Sequence, residues 1–249
     1  MSMVFLYKNL IKNTNQIIAN SMESGYGSSA LFDDDINSPY RGTATVIGTT
    51  IVFFDFGSSV YVDSAACVSN IPVNGSFKLM AGTTNPCLDF SILPALNVSG
   101  TFYKDIGLQN YRYWGVQMHG QTGNGRHQIN ELFLGKRKVV TELPSYPIET
   151  GVEEDVSELV SERGQKWVYT NFNREYWVFN FEGVNATTEA DLYNMYKSCG
   201  KNTTPFWMIV DVENDPQNIK FCRFKDRSFL SNEITKNIYD VTVEIERDL

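Results

Sequence analysis

The chain is poor in the residues from which most active sites are built. It has two histidines, His119 and His127, and four widely spaced cysteines, Cys67, Cys87, Cys199 and Cys222, none in a C-x-x-C pair. Structural zinc sites draw on closely spaced ligand pairs, so the common zinc modules are excluded. The opening, MSMVFLYKNLIKNTNQ, has too short an apolar run and no small-residue cleavage site for a signal peptide. Without an export signal, four reduced, mostly buried thiols are expected in place of a disulfide framework. No apolar run is long enough to span a bilayer, and no membrane partner is expected. Basic residues are in deficit as well: 21 Lys and Arg face 29 Asp and Glu. The imbalance is one-sided, net −1 over residues 1–150 and net −7 over 151–249. A phosphate-binding groove needs Lys and Arg clustered on one face, so specific nucleic-acid binding is not expected.

What the chain does have is β-forming material. Aromatic residues reach 13%, hydrophobic residues 42% and charged residues 20%, a globular balance weighted toward side chains that pack on pleated surfaces. A length of 249 residues suits two domains. Pro144, Pro147 and Gly151 punctuate the stretch 141–151 and mark a joint, giving domains 1–143 and 144–249. Whether residues 1–20 belong to the first domain or lend a strand to the second stays open. Upstream of the joint, short apolar runs at 50–56, 60–62, 76–81, 100–103, 113–118 and 131–134 alternate with turn residues. That spacing reads as a β-sandwich or jelly roll. There is no internal repeat, and the four N-x-S/T matches at Asn74, Asn97, Asn185 and Asn202 read as chance in an Asn-rich chain.

The last third is the most ordered in pattern. Trp177, Phe179 and Phe181 share one face of a strand at 176–181, and further strands are expected at 206–212 and 221–224. Between them lies one helix. Thr188-Glu189-Ala190-Asp191 has the form of a capping box, Leu192, Met195, Tyr196 and Cys199 follow at helical spacing, and Gly200 is placed to end it. Its single apolar stripe must lie against a sheet. The acidic stretch 152–161 reads as a strand, with Gly164 turning the chain into a partner strand at 166–169. The chain closes on Tyr239, Val241, Val243 and Ile245 alternating with Asp240, Thr242, Glu244 and Glu246, one face on a core and one in water.

Each candidate for chemistry has a plainer reading beside it. Asp33-Asp34-Asp35 offers oxygen ligands to a hard cation such as calcium, yet adjacent aspartates cannot all point at one ion. With no spaced ligand set following, a solvent-exposed turn capped by its own carboxylates is the expected reading. Gly120-Gln121-Thr122-Gly123-Asn124-Gly125-Arg126, between the two histidines, suggests a phosphate cradle but lacks the G-K-[S/T] ending, so a hairpin loop is expected. Tyr26, Tyr40, Tyr111 and Trp114, with Arg41 and Arg126, could line a sugar site, or they are core and interface aromatics. No Ser-His-Asp grouping, cysteine partner or carboxylate pair stands out. No catalytic, cofactor or metal residue is assigned, and no enzyme activity is expected.

Two resemblances cover nearly the whole chain. Ser29-Ala30-Leu31-Phe32-Asp33, Ile51-Val52-Phe53-Phe54-Asp55-Phe56-Gly57 with Val60-Tyr61-Val62-Asp63, residues 76–82, Tyr113-Trp114-Gly115-Val116 and Ile129-Asn130-Glu131-Leu132-Phe133-Leu134-Gly135 together resemble the galactose-binding, discoidin-type jelly roll. Gly164 and Trp167, the strand 177–181, Ala190-Asp191-Leu192, Pro205-Phe206-Trp207 and the closing Tyr239-Asp240-Val241-Thr242-Val243-Glu244 resemble the distal-tail or tail-hub (minor tail) β-barrel of long-tailed bacteriophages. The fold this implies is mainly β: an N-terminal jelly roll, then an α+β tail-hub-type barrel with one helix. The implied role is structural. Copies would form a ring, a hexamer by resemblance, at the distal end of the tail tube in the virion, assembled in the host cytoplasm. Its partners would be the tube and the tip, baseplate or fibre proteins, with the acidic half facing a lumen through which DNA passes unbound. The alternative is an adhesin whose jelly roll recognises host-surface glycans, and a glycan-degrading depolymerase subunit stands third.

Overall fold

The computed structural model describes residues 2–20, 22–42, 50–70, 76–84, 90–96, 99–119 and 127–248. Among them the chain is mainly β, with one α-helix. In chain order the strands are β1 Met3–Leu6, β2 Gln16–Ala19, β3 Tyr40–Arg41, β4 Thr50–Asn70, β5 Ser76–Gly82, β6 Phe90–Leu96 and β7 Ser99–His119. They continue with β8 Gln128–Gly135, β9 Lys138–Val140, β10 Glu149–Val160, β11 Lys166–Asn185, β12 Phe206–Ile209, β13 Ile219–Thr235 and β14 Ile238–Arg247; the helix α1 is Ala186–Ser198.

Two compact units emerge, Lys8–Lys138 with Asp215–Ile219, and Met1–Tyr7 with Val139–Asn214 and Lys220–Leu249. The division falls before the expected 143/144 border and splits the first twenty residues between the units. The cause is strand pairing. All four residues of β1 are buried, and β1 runs antiparallel to β12 with Val4 opposite Ile209. Val140 of β9 is buried in the same core. The stretch 141–151 therefore lies inside the second unit, where the Ser145 N–H donates to the Asn180 carbonyl at 2.6 Å. Its prolines mark a loop rather than a joint.

The first unit is a jelly-roll sandwich built on two long strands. β4 and β7 pair antiparallel along most of their length, from Thr50 opposite Met118 to Asn70 opposite Ser99. β2 and β5 flank one end of this ladder, while β8 flanks β4 at the other, from Ser64 to Asn70. The register slips between Asp55 and Val60 and again between Val62 and Ser64. Bulges of this kind let a strand turn a corner and pass from one layer of a sandwich to the other. Both corners use the same device. The Gly57 N–H donates to Asp55 Oδ1 at 2.7 Å and the Gly107 N–H to Asp105 Oδ1 at 3.0 Å, with φ of +76° and +66° at the two glycines. An arginine then grips each aspartate, Arg112 on Asp55 through both oxygens and Arg137 on Asp105. Phe54, Trp114, Cys67, Phe102, Leu132 and Leu134 fill the common core.

The second unit is a seven-stranded sheet in the order β10-β11-β14-β13-β12-β1-β9 with α1 on one face. Among the described residues no pairing joins β9 to β10, so the expected barrel appears as a sheet with two edges. β14 alternates as its sequence does, with Val241, Val243 and Ile245 buried. Two strands expected at 166–169 and 176–181 are one, because residues 170–175 contain no breaker and pair with β10 through a single bulge at Asp155/Val156. The helix starts earlier than its capping-box pattern suggests. Asn185 is the N-cap, its Oδ1 accepting from Thr187 N–H at 2.8 Å and Thr188 N–H at 3.0 Å. Leu192, Met195, Tyr196 and Cys199 are buried as the stripe requires, and Gly200 follows at φ +57°. Tyr196 meets Phe224 edge-on at 5.1 Å, and Phe206 lies 4.8 Å from Phe224.

Candidate functional site

In the jelly roll, the expected sugar-site aromatics separate. Tyr40 and Trp114 are fully buried, and the Trp114 indole N–H donates to the Tyr111 carbonyl at 3.1 Å. They are core residues, because each lies on the inward side of a strand in the sandwich. Tyr26 stays nearer the surface with the Arg41 guanidinium 4.1 Å from its ring centre. Tyr61, which sequence reasoning passed over, is half exposed with the Lys136 ammonium 5.0 Å from its ring. Arg126 and the loop 120–126 lie outside the described residues, as do Cys87, Asn74 and Asn97. His127 is buried, and Cys67, Cys199 and Cys222 are buried free thiols. Burial pushes the Cys67 and Cys222 thiols up, away from thiolate character.

The aspartate triple forms a local turn. Asp33 Oδ1 accepts from the Asp35 N–H at 3.1 Å, and Asp35 Oδ1 from the Asn37 N–H at 2.9 Å. Asp34, at φ +67°, holds the Lys12 ammonium at 2.6 Å. Among the described residues no cluster of three or more His, Cys, Asp or Glu has metal-holding geometry. The sequence did not single out the neighbour of this turn, Glu131, which is 1% exposed with Oε2 buried and lacking a hydrogen-bond partner. Burial, reinforced by Asp34 and Asp33 and opposed by Lys12, pushes its carboxyl up to about 9. The one signal for it was an acid inside the apolar run of β8.

In the second unit the notable surface is a projecting ribbon. β11 pairs with β14 only from Tyr176 onward, so the backbone of 166–175 pairs with β10 alone, while Arg174 and Glu175 reach Glu246 and Arg247 of β14 through their side chains. Ten residues of strand extend about 30 Å. The ribbon is open to solvent on both faces, with its aromatic side chains on one of them and a mixture of valines and charged or polar residues on the other. Leu159 stands opposite Trp167, Ser157 opposite Tyr169 and Asp155 opposite Phe172 on one face. Val160 opposite Lys166, Glu158 opposite Val168 and Val156 opposite Thr170 make the other. Leu159, Val160, Trp167 and Val168 are 59%, 64%, 44% and 57% exposed. At the ribbon's base a cleft of about 520 Å³ is lined by Glu149, Glu153, Glu244, Tyr176 and Lys225 among others. The Lys225 ammonium sits 2.9 Å from Glu153 and 4.8 Å from the Tyr176 ring centre. Nothing in this cleft supplies a nucleophile paired with a base.

No protein-family model matches the chain, and no curated protein matches it. Among solved structures, it is similar to chitosan-binding module 1 of a chitosanase/glucanase from Paenibacillus sp. IK-5, at 14% identity and TM-score 0.45, over 52% of this chain and 99% of the module. A CBM32 module produced by Clostridium perfringens matches at 11% identity and TM-score 0.41, over 52% of this chain and 99% of that one. A GH29 fucosidase of Ruminococcus gnavus, in complex with fucose, matches at 12% identity and TM-score 0.46, over 53% of this chain and 27% of the fucosidase. Likeness of this size bears on neither ligand nor partner.

Proposed function

We propose that this protein works by assembling, as a structural phage tail subunit of the distal-tail or tail-hub type. It would form a ring at the end of the tail tube and connect the tube to the tip, baseplate or fibres. The observation that supports this reading is the ribbon of β10 and β11. A two-stranded ribbon is marginal in water by itself, and one carrying Trp167, Tyr169, Phe172 and Leu159 exposed along one face is suited to being covered. Its turn, Ser161-Glu162-Arg163-Gly164-Gln165, is polar. The ribbon is therefore suited to lie lengthwise along protein rather than to enter a membrane end-on. Size-exclusion chromatography with light scattering, followed by electron microscopy of the same fraction, tests the reading. Closed rings of several copies are the expected result; a monomer at every concentration would overturn it.

A second reading, glycan recognition by the jelly roll, has its own supporting observation. Tyr61 beside Lys136 and Tyr26 beneath Arg41 present aromatic faces with polar rims, the chemistry that holds a sugar ring. Saturable binding on a glycan array, abolished by Tyr61→Ala or Tyr26→Ala, would favour it.

A further inference from the structure

We infer that the ribbon is self-complementary: two copies of this chain lie antiparallel, aromatic face on aromatic face, and each ribbon's tip enters the cleft at the other's base. The inference rests on the reading of the ribbon as an assembly arm and names what it docks on. The aromatic rungs and the cleft share one face. Below Leu159/Trp167, Ser157/Tyr169 and Asp155/Phe172 that face continues through Glu153 opposite Arg174, Gly151 opposite Tyr176 and Glu149 opposite Val178. Glu244 of β14 stands on the far side of Val178.

The cleft is built to hold a cation. Its floor is the Tyr176 ring, which lies across Gly151 where a Cβ would come within 2.6 Å of it, so only glycine leaves the ring this place. The chain's own Lys225 already uses one position, with its ammonium on Glu153 and near the Tyr176 ring. Glu149 and Glu244 line the same cleft and have no ion pair among the described residues. The next rung repeats the chemistry: the Arg174 guanidinium sits 4.9 Å from the Phe172 ring centre and its Nη1 donates to Glu246 at 3.0 Å. Trp167 and Tyr169, the two rings nearest the tip, carry no cation among the described residues.

The tip supplies the complementary charge. Arg163 is exposed and has no ion pair among the described residues. Its turn is fixed by three hydrogen bonds: the Ser161 N–H donates to the Gln165 carbonyl at 2.8 Å, the Gly164 N–H to the Ser161 carbonyl at 2.9 Å, and the Gln165 N–H to Ser161 Oγ at 3.0 Å. The paired strands hold this turn about 30 Å from the cleft of its own chain, so Arg163 reaches a cleft only in another copy. A guanidinium suits a site of carboxylates beside an aromatic ring, and Glu162 next to it meets Lys225. The tip-to-cleft distance is the same in both copies, so one antiparallel arrangement fills both clefts at once, which is an isologous contact. It also lays Trp167, Tyr169 and Phe172 of one copy on those of the other and takes them out of water. A strip about 30 Å long and about 10 Å wide is small for an interface, so the pair is weak and, with charges at both ends, sensitive to salt. A two-fold pair closes on itself, and a ring needs a second contact between pairs.

A charge swap in the full chain, read by sedimentation velocity over about 1–100 µM, tests the contact. Arg163→Glu alone, and Glu149→Lys with Glu244→Lys in one chain, should each raise the dissociation constant of the pair at least roughly tenfold. Mixed together, the two proteins should pair again, because each tip then meets a cleft of opposite sign. Independently of how the double variant folds, Arg163→Cys and Glu149→Cys, both at exposed positions, are mixed and oxidised; the described native thiols are buried. An inter-chain 149–163 disulfide found by mass spectrometry is the expected product. Wild-type pairing by Arg163→Glu, with no 149–163 disulfide, would overturn this contact and leave the assembly reading standing. A wild-type monomer at every concentration would overturn both, and so would a monomer whose ribbon becomes protected from proteolysis only on phosphatidylcholine vesicles.

Discussion

Replacing Glu131 by Gln should stabilise the protein at neutral pH, by an amount that grows with pH. Glu131 is buried on β8 against the aspartate turn, and its carboxyl is pushed from an ordinary 4.5 up to about 9. Burial is the main cause, Asp34 and Asp33 add to it, and Lys12 works against it. Between these two values the native state keeps a proton that the unfolded chain has released. Stability contributed by the neutral acid is therefore complete below pH 4.5 and declines as pH rises toward 9. Each pH unit in that window is worth about 1.4 kcal/mol, so the loss at pH 7 is about 3 kcal/mol. Gln has nearly the same shape and no charge to lose. Urea unfolding of wild type and Glu131→Gln at pH 5, 6, 7 and 8 reads the difference directly. A small gap at pH 5 should open to about 3 kcal/mol by pH 7. A gap that does not change with pH would refute the reasoning. So would calcium that stabilises wild type and leaves the Gln variant unmoved, because the carboxylate would then be ionised and bound to the ion.

Other substitutions test the fold. Asn185→Ala should cost about 1 kcal/mol by thermal or urea unfolding, since it removes an acceptor for two helix N–H groups, whereas Thr188→Ala should change little. Trp114→Ala should cost about 3–5 kcal/mol, the range for deleting a fully buried indole; an unchanged melting point would return Trp114 to the surface. Arg112, through paired hydrogen bonds, holds the Asp55 carboxyl below the usual carboxylate range. That stabilisation is present above about pH 4 and is lost as pH falls through the depressed value. Asp55→Asn should therefore flatten the acid side of a melting-temperature titration.

The parts of the fold legible in the sequence are those governed by local periodicity. β14 alternates every second residue and α1 carries one stripe, so both were readable to within a turn. The helix start moved because Asn185-Ala186-Thr187-Thr188 offers more than one capping residue, and the choice between them depends on where β11 ends. The 21-residue strands β4 and β7 were not legible as single strands. Gly57 and Gly107 look like breakers, yet an aspartate two residues before each bonds the glycine N–H and carries the strand around a corner. The pairing of β1 with β12 was beyond reach because Val4 and Ile209 are separated by most of the chain. The candidate site was the least legible part. Tyr40 and Trp114 differ from Tyr26 and Tyr61 in burial, which neighbouring letters do not encode, and Glu131 stood out only as an acid within an apolar run.

In the proposed assembly the β10–β11 ribbon is the arm that joins one copy to the next. Sedimentation velocity of wild type beside a variant whose residues 153–173 are replaced by a tight turn tests it most directly. A multimeric wild type and a folded, monomeric variant are the expected pair of results. Identical sedimentation of the two proteins, as monomers or as the same multimer, would contradict it.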